Sequence, residues 1–280
     1  MMRKTVLFVP ILNEKFVARV HERGADAVVL DLEDAIAPES KTLARSVLRE
    51  TADRLLQRRV EVWVRVNNTT ELLGDDLVAA VCPSITGIMV PKVEGALELA
   101  TISSEVNHLE AKSRIPKDTI SLCATLETPA GILAASSIAA VPRLRALALG
   151  GEDLAAALGI SPRHAALRGP GQIVIMAAAA HNLESWGVIG SIANHTNMNR
   201  FAREVRLSRA LGVTTIICIH PKQVGVVDLI YRSSSEELDW ATDVVRAYES
   251  AKIRGIGSIA LHGQMIDEPV YLRAKRMLEN

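Results

Sequence analysis

The chain has 280 residues, 49% of them hydrophobic, and 32 Lys+Arg balance 32 Asp+Glu to a formal net charge of zero. A neutral surface supplies no cationic footprint for a phosphate backbone, and 3 Trp, 3 Tyr and 3 Phe give few platforms for stacked bases, so nucleic acid is not an expected ligand. The apolar runs fall far short of the roughly 20 residues that cross a bilayer, so no membrane partner is expected either.

Short runs rich in Val, Ile and Leu recur at residues 5–9, 27–32, 61–66, 87–90, 121–126, 146–149, 186–189 and 215–219. Continuous apolar runs of this length mean strands buried on both faces, as in a parallel sheet covered by helices. Helical patterns fill the stretches 40–56, 96–109, 129–140, 171–181 and 200–211, several opened by Pro or a capping residue. Strands alternating with helices eight times over predict an α/β fold, a (β/α)8 TIM barrel spanning residues 1–230. At Tyr231-Arg232-Ser233-Ser234-Ser235 the pattern changes to a polar helix over 235–252, with Glu236 and Glu237 in the first turn where carboxylates suit the helix dipole. A Gly-rich stretch and a terminal helix over 268–278 follow. With all eight strands assigned, residues 231–280 are expected to form a small C-terminal helical lid.

Met1-Met2-Arg3-Lys4 leads directly into the first apolar run without a small-residue cleavage site, which predicts a cytoplasmic protein. Cys82, Cys123 and Cys218 are widely spaced in apolar surroundings, and are expected as reduced core thiols rather than a disulfide framework or a zinc site.

Barrel enzymes build their sites at the C-terminal ends of the strands. Here those ends read Asp31-Leu32-Glu33-Asp34, Arg65-Val66-Asn67, Pro91-Lys92, Glu127-Thr128, Gly150-Gly151-Glu152-Asp153 and His220-Pro221. Carboxylates crowded at one mouth repel unless a cation compensates, which points to a divalent metal. Glu127 and Asp153 end adjacent strands and are the expected ligands. Oxygen ligands without His or Cys suit Mg2+, or Mn2+, rather than zinc. The alternative for each acid is to cap the helix that follows. Arg65 is either a catalytic cation or an ion-pair partner that neutralises Asp31 or Glu33, and strand alternation alone does not say which way it points. Gly169-Pro170-Gly171 is a weak phosphate-cradle signal and more often a turn. His220 reads as a structural histidine, and Arg54, Arg58 and Arg59 as a solvated helix end.

Taken together, Leu7-Phe8-Val9-Pro10, Asp31-Leu32-Glu33-Asp34-Ala35 with Lys41 and Arg45, Arg65-Val66-Asn67, Pro91-Lys92-Val93-Glu94, Glu127-Thr128-Pro129, Gly150 to Asp153, Ile219-His220-Pro221 and Gly263-Gln264-Met265-Ile266-Asp267 resemble the HpcH/HpaI aldolase and citrate lyase beta-subunit family. Asp34 stands where the pyruvate-type class II aldolases carry a histidine, so the chain looks like the citrate lyase branch. The resemblance implies a Mg2+-dependent carbon-carbon lyase acting on a short 3-hydroxyacyl thioester of the citramalyl, malyl or citryl type, with acyl-CoA and a 2-oxo acid as its small-molecule partners. It assigns the metal to Glu127 and Asp153, the developing oxyanion to Arg65, the ordering of metal-bound water to Glu33, and an acid/base role to Asp267 in the lid. Asp31, Asp34, Lys41, Gly151 and Glu152 are its implied substrate-binding residues. A homo-oligomer, trimeric or a multiple of it, is implied as well. The first loop departs from the family pattern with Ile11-Leu12-Asn13-Glu14, as does the stretch after the seventh strand. These departures leave two alternatives: a class II aldolase on a free 4-hydroxy-2-oxo acid, and a beta subunit acting on a carrier-protein thioester.

Overall fold

The computed structural model describes residues 3–193 and 195–279. Its first half runs β1 (Thr5–Pro10), α1 (Glu14–Val17), β2 (Ala27–Asp31), α2 (Lys41–Gln57), β3 (Glu61–Arg65), α3 (Leu73–Ala80), β4 (Gly87–Val90), α4 (Ala96–Lys112) and β5 (Ser121–Leu126). Then come α5 (Pro129–Leu133), α6 (Ala135–Ala139), β6 (Leu144–Leu149), α7 (Gly151–Ala157), α8 (His164–Ala180), β7 (Glu184–Trp186), α9 (Met198–Leu211), β8 (Ile216–Cys218) and α10 (Pro221–Tyr231). The tail holds α11 (Ser235–Ile253), β9 (Ile259–Leu261), β10 (Gln264–Ile266) and α12 (Glu268–Glu279).

The first eight strands are parallel neighbours in the order β7-β6-β5-β4-β3-β2-β1-β8, and a parallel bridge between Trp186 and Thr215 joins the two ends into a barrel. This is the (β/α)8 architecture that the eight apolar runs predict. Alternate residues point inward: Val6, Val29, Trp63, Met89, Cys123, Ala146, Ala148, Trp186 and Ile217 form one buried cluster, the packed interior of a barrel rather than a pore. Arg3 plugs the N-terminal end. Its guanidinium lies over the rings of Trp63 and Trp186 at 5.5 and 5.2 Å and pairs with Glu61 and Glu184. Cys82, Cys123 and Cys218 are buried and unbridged.

Several boundaries differ from the sequence expectation for identifiable reasons. Strand β7 ends at Trp186 because Gly187 adopts φ +132, and a Cβ there would meet the Leu149 carbonyl oxygen at 3.0 Å. The 129–140 helix is two short ones that break at Ala134. Gly169-Pro170-Gly171 is neither turn nor cradle, since it lies inside α8. Helix α3 had no sequence signal strong enough to mark it.

The chain divides into two compact units, Arg3–Leu229 and the segment from Ile230 onward. In the second, Ser234 and Glu237 form a capping box at the start of α11, and β9 and β10 pair antiparallel about His262-Gly263. Ala241, Val244, Tyr248, Ile266 and Ala274 make its own core, with the Tyr248 and Tyr271 rings stacked at 5.0 Å. This unit is therefore a helix, hairpin and helix rather than helices alone. No helix among the described residues is long and apolar enough to cross a membrane.

Candidate functional site

A cavity of about 270 Å³ opens at the C-terminal ends of the barrel strands. Its lining combines polar residues, Asp34, Arg65, Glu127, Glu152 and Asp153, with apolar ones, Phe8, Met89, Leu149, Val188 and Ile217.

Arg65 ends β3, two residues beyond the inward-pointing Trp63, so strand alternation turns it into the barrel mouth. Parallel pairing sets Asp31 of β2 beside it. The two form a bidentate pair, Arg65 Nε to Asp31 Oδ1 at 2.8 Å and Nη2 to Oδ2 at 2.7 Å. Asp34 Oδ2 lies 3.5 Å from Nη1, and Glu33 Oε2 lies 2.7 Å from it, out of line for a hydrogen bond. The guanidinium also lies 5.0 Å from the Phe8 ring centroid. Burial works against its charge, yet the hydrogen bond and charge of Asp31, joined by Glu33 and Asp34, outweigh burial and hold its pKa above the ordinary value. The ion-pair and catalytic readings of Arg65 are thus compatible: a fixed, permanently charged fork borders the cavity.

The acidic loop after β2 is braced from behind. Lys41 Nζ donates to the carbonyls of Leu32 and Glu33 at 2.7 and 2.6 Å and to Asn67 Oδ1 at 2.8 Å. Asn67 Nδ2 donates to the Leu32 carbonyl and to Asp76, which also pairs with Arg45. An ammonium has three protons, and those of Lys41 are all engaged by protein atoms. Lys41, expected at the substrate, instead clamps the loop that carries Asp31, Glu33 and Asp34, and it does not line the cavity.

Glu127 follows β5 and is only 4% exposed. The capping alternative fails for it, because Thr128 is the N-cap of α5 and its Oγ1 accepts from the Gly131 amide at 3.1 Å. Glu127 Oε1 instead accepts the Lys92 amide at 2.8 Å. Its Oε2 lies against Gly150, where a Cβ would come within 2.2 Å, so only glycine admits the carboxylate at that approach. Burial first, then the charges of Asp153 and Glu33, push the Glu127 pKa up to about 8. Asp153 stands in the first turn of α7, and among the described residues its carboxylate has no hydrogen bond or ion pair. Glu152, one residue earlier, accepts from Ser191 Oγ and turns toward the loop after β7.

Lys92, a strand-end residue to which sequence reading gave no role, contacts two of the site's carboxylates. Its Nζ donates to Glu33 Oε1 at 2.7 Å, and its backbone is left-handed at φ +54. Burial raises the Glu33 pKa, and Arg65 and Lys92 pull it back only in part. The strand-end position of Lys92 was the available signal, but nothing in a Pro-Lys-Val triplet announces a positive φ. His220 behaves as expected of a structural histidine: its Nδ1 accepts from the Lys222 amide at 3.1 Å, and its ring stacks on His195 at 5.2 Å. Arg54 is likewise occupied, by Glu14.

Asp267 belongs to the second unit. Its Oδ1 accepts from the Val270 amide at 3.3 Å, a long hydrogen bond at the start of α12.

A family model described as HpcH/HpaI aldolase/citrate lyase matches residues 4–221. The citrate lyase subunit beta of Escherichia coli K12 is 34% identical over 281 residues, which cover 99% of this chain and 92% of that protein. A (3S)-malyl-CoA thioesterase of Cereibacter sphaeroides is 30% identical over 282 residues, 98% of this chain and 93% of the relative. Among solved structures, CitE of Mycobacterium tuberculosis in complex with magnesium, acetoacetate and coenzyme A superposes with a TM-score of 0.78 at 30% identity, covering 99% of this chain and 97% of that one.

Proposed function

We propose, for a chain that belongs to the HpcH/HpaI aldolase/citrate lyase family, that it is a Mg2+-dependent carbon-carbon lyase. Its substrate is a short 3-hydroxyacyl thioester of the citramalyl, malyl or citryl type, cleaved to an acyl thioester and a 2-oxo acid, or formed from them. The observation that carries this reading is the convergence of Glu127 and Asp153, neither of them a cap or an ion-pair partner, on one cavity with Arg65. The magnesium and coenzyme A bound by the M. tuberculosis CitE support it.

The donor set fits a hard cation. Glu127 is buried and repelled by Asp153, a conflict that a bound divalent ion relieves. Among the described residues no three His, Cys, Asp or Glu side chains converge into a closed cage. Mg2+, and Mn2+ by the same chemistry, requires no such cage, since one or two carboxylates suffice when water and substrate oxygens complete the octahedron. When bound, the ion supplies Lewis-acid polarisation of the 2-oxo acid oxygens.

Cleavage breaks the C2–C3 bond of the thioester. A base takes the proton of the C3 hydroxyl, whose oxygen becomes the carbonyl of the 2-oxo acid, and the electron pair passes into the thioester as an enolate that is then protonated at C2. Arg65 presents fixed N–H donors where the enolate oxygen develops charge. Asp31 holds that guanidinium in plane by its bidentate pair. Asp267 is the proposed base, and the apolar lining residues keep water from the enolate.

Purified protein supplied with Mg2+ and a panel of 3-hydroxyacyl-CoA thioesters tests the assignment by release of 2-oxo acid. Turnover of at least one thioester is expected. Cleavage of free 4-hydroxy-2-oxo acids alone identifies an aldolase, and cleavage of carrier-protein thioesters alone identifies a beta subunit of a complex.

Arg65→Lys is expected to lower kcat about 100-fold although the charge is kept, the scale of losing one oxyanion donor, because an ammonium cannot reproduce the planar fork. Steady-state kinetics check this, and wild-type kcat would reduce Arg65 to a charge-balancing residue.

A pH dependence follows from Glu127. An acid whose folded pKa is about 8, against an ordinary 4.5, destabilises the free protein progressively as pH rises between those values. A divalent ion must displace the proton that Glu127 holds below pH 8. Mg2+ is therefore expected to bind more tightly at pH 8.5 than at pH 6 and to raise the melting temperature more at the higher pH. Equal shifts at both pH values would remove Glu127 from the metal site.

A further inference from the structure

Among the described residues seven non-glycine ones have a left-handed backbone, namely Arg59, Lys92, Arg114, Asp118, Arg143, Asn182 and His262. Lys92 is the one that follows the C-terminal end of a barrel strand, two residues beyond β4. A lysine in this conformation is strained, and it persists only where its surroundings over-determine it. Those surroundings are visible. The Pro91 carbonyl accepts from Asn68 Nδ2 at 2.9 Å, and the Val93 amide donates to the Thr125 carbonyl at 3.2 Å, so the peptides on both sides are pinned. Between the pins, the Lys92 amide donates to Glu127 Oε1 at 2.8 Å and the ammonium donates to Glu33 Oε1 at 2.7 Å.

We propose that Lys92 is a positioning residue of the site: its left-handed backbone fixes Glu127 through the amide while its ammonium holds Glu33 away from a full pairing with Arg65. This rests on the reading of Glu127 as a metal-binding carboxylate and of Arg65 as the oxyanion cation. Each half has a geometric consequence. With Oε1 committed to the amide, Glu127 keeps Oε2 for the ion. With Oε1 of Glu33 committed to the ammonium, only Oε2 faces Arg65, and it does so out of line. Arg65, with two of its five N–H donors on Asp31 and one directed at Asp34, would be fully occupied if Glu33 took the remaining two with both oxygens. Lys92 prevents that, and so leaves Arg65 free donor capacity toward the cavity.

Lys92→Gly separates function from structure, because glycine accepts φ +54 without strain and keeps the amide while removing the ammonium. Four quantities are read on intact protein: melting temperature, Mg2+ affinity by calorimetry, the kinetic constants for the best thioester and, as a readout independent of turnover, pyruvate affinity in the presence of Mg2+. The expected pattern is a melting temperature within about 2 °C of wild type, Mg2+ affinity within about 3-fold, kcat lowered about 10- to 100-fold and pyruvate affinity lowered at least 10-fold. Lys92→Arg, which restores a cation in reach of Glu33, is expected to recover most of both losses. Wild-type kcat and pyruvate affinity in Lys92→Gly overturn the proposal. So does a parallel fall of melting temperature, Mg2+ affinity and kcat that Lys92→Arg does not repair, since that is the pattern of a merely structural residue. A wild-type protein that binds Mg2+ and pyruvate but cleaves nothing overturns the lyase reading instead, and Lys92 is then judged on pyruvate affinity alone.

Discussion

Glu127→Ala and Asp153→Ala are each expected to lower Mg2+-dependent cleavage by about 10^3-fold or more, the loss that corresponds to several kcal/mol of Lewis-acid stabilisation. The fold should survive both changes. Asp153 has no partner among the described residues to lose. Glu127→Ala frees the Lys92 amide, at a cost of about 1–3 kcal/mol if it stays dry, but it also removes a carboxyl that burial, and after it the charges of Asp153 and Glu33, push up to about pKa 8. The two effects oppose each other, so thermal melts near those of wild type are expected at pH 8. Calorimetric titration with Mg2+ provides the check. Undiminished affinity in both variants would take the metal away from these residues.

The second large effect is expected at Asp267. Its carboxylate makes one hydrogen bond, a long one, to the Val270 amide at the head of α12. That contact alone would make it a cap, and asparagine caps nearly as well as aspartate. Asp267→Asn therefore leaves the cap and removes the carboxylate proposed as the base. Near-normal melting with kcat lowered about 10^2- to 10^4-fold is the expected combination, the range of a lost general base. A pure cap would give normal melting and normal kcat. If the carboxylate serves a neighbouring copy, mixing and reassembling inactive Asp267→Asn and Glu127→Ala proteins should regenerate active sites. A fully active Asp267→Asn enzyme would end the role.

Why the barrel could be read in advance is clear from runs such as 61–66 and 121–126: strands buried on both faces are apolar nearly throughout, and the short length of these runs, alternating with helical patterns, sets them apart from buried helix segments. Strand β7 slipped by two residues because Val188 and Ile189 look like strand yet follow Gly187, whose backbone leaves the ladder. The convergence of Arg65, Glu127 and Asp153 was legible from their strand-end positions, since a barrel gathers those ends. What each side chain does once there was not. Thr128 rather than Glu127 caps α5, Lys41 spends its protons on loop carbonyls, and Lys92 turns left-handed between two pinned peptides. The cap is local, Thr128 bonding three residues on, and its Thr-Pro start could have been read; the other two depend on neighbours 8 to 59 residues away or on a backbone torsion, which leave no local signature.

Cleavage by metal-stripped protein is the most direct measurement of the central claim that a divalent ion at Glu127 and Asp153 carries the reaction. Protein treated with EDTA and then desalted is assayed for 2-oxo acid release from its best thioester while Mg2+ is added back. Background activity without metal, restored saturably by Mg2+ to the untreated rate, is the expected result. A stripped enzyme that turns over at the full rate would contradict the claim, whatever the thioester.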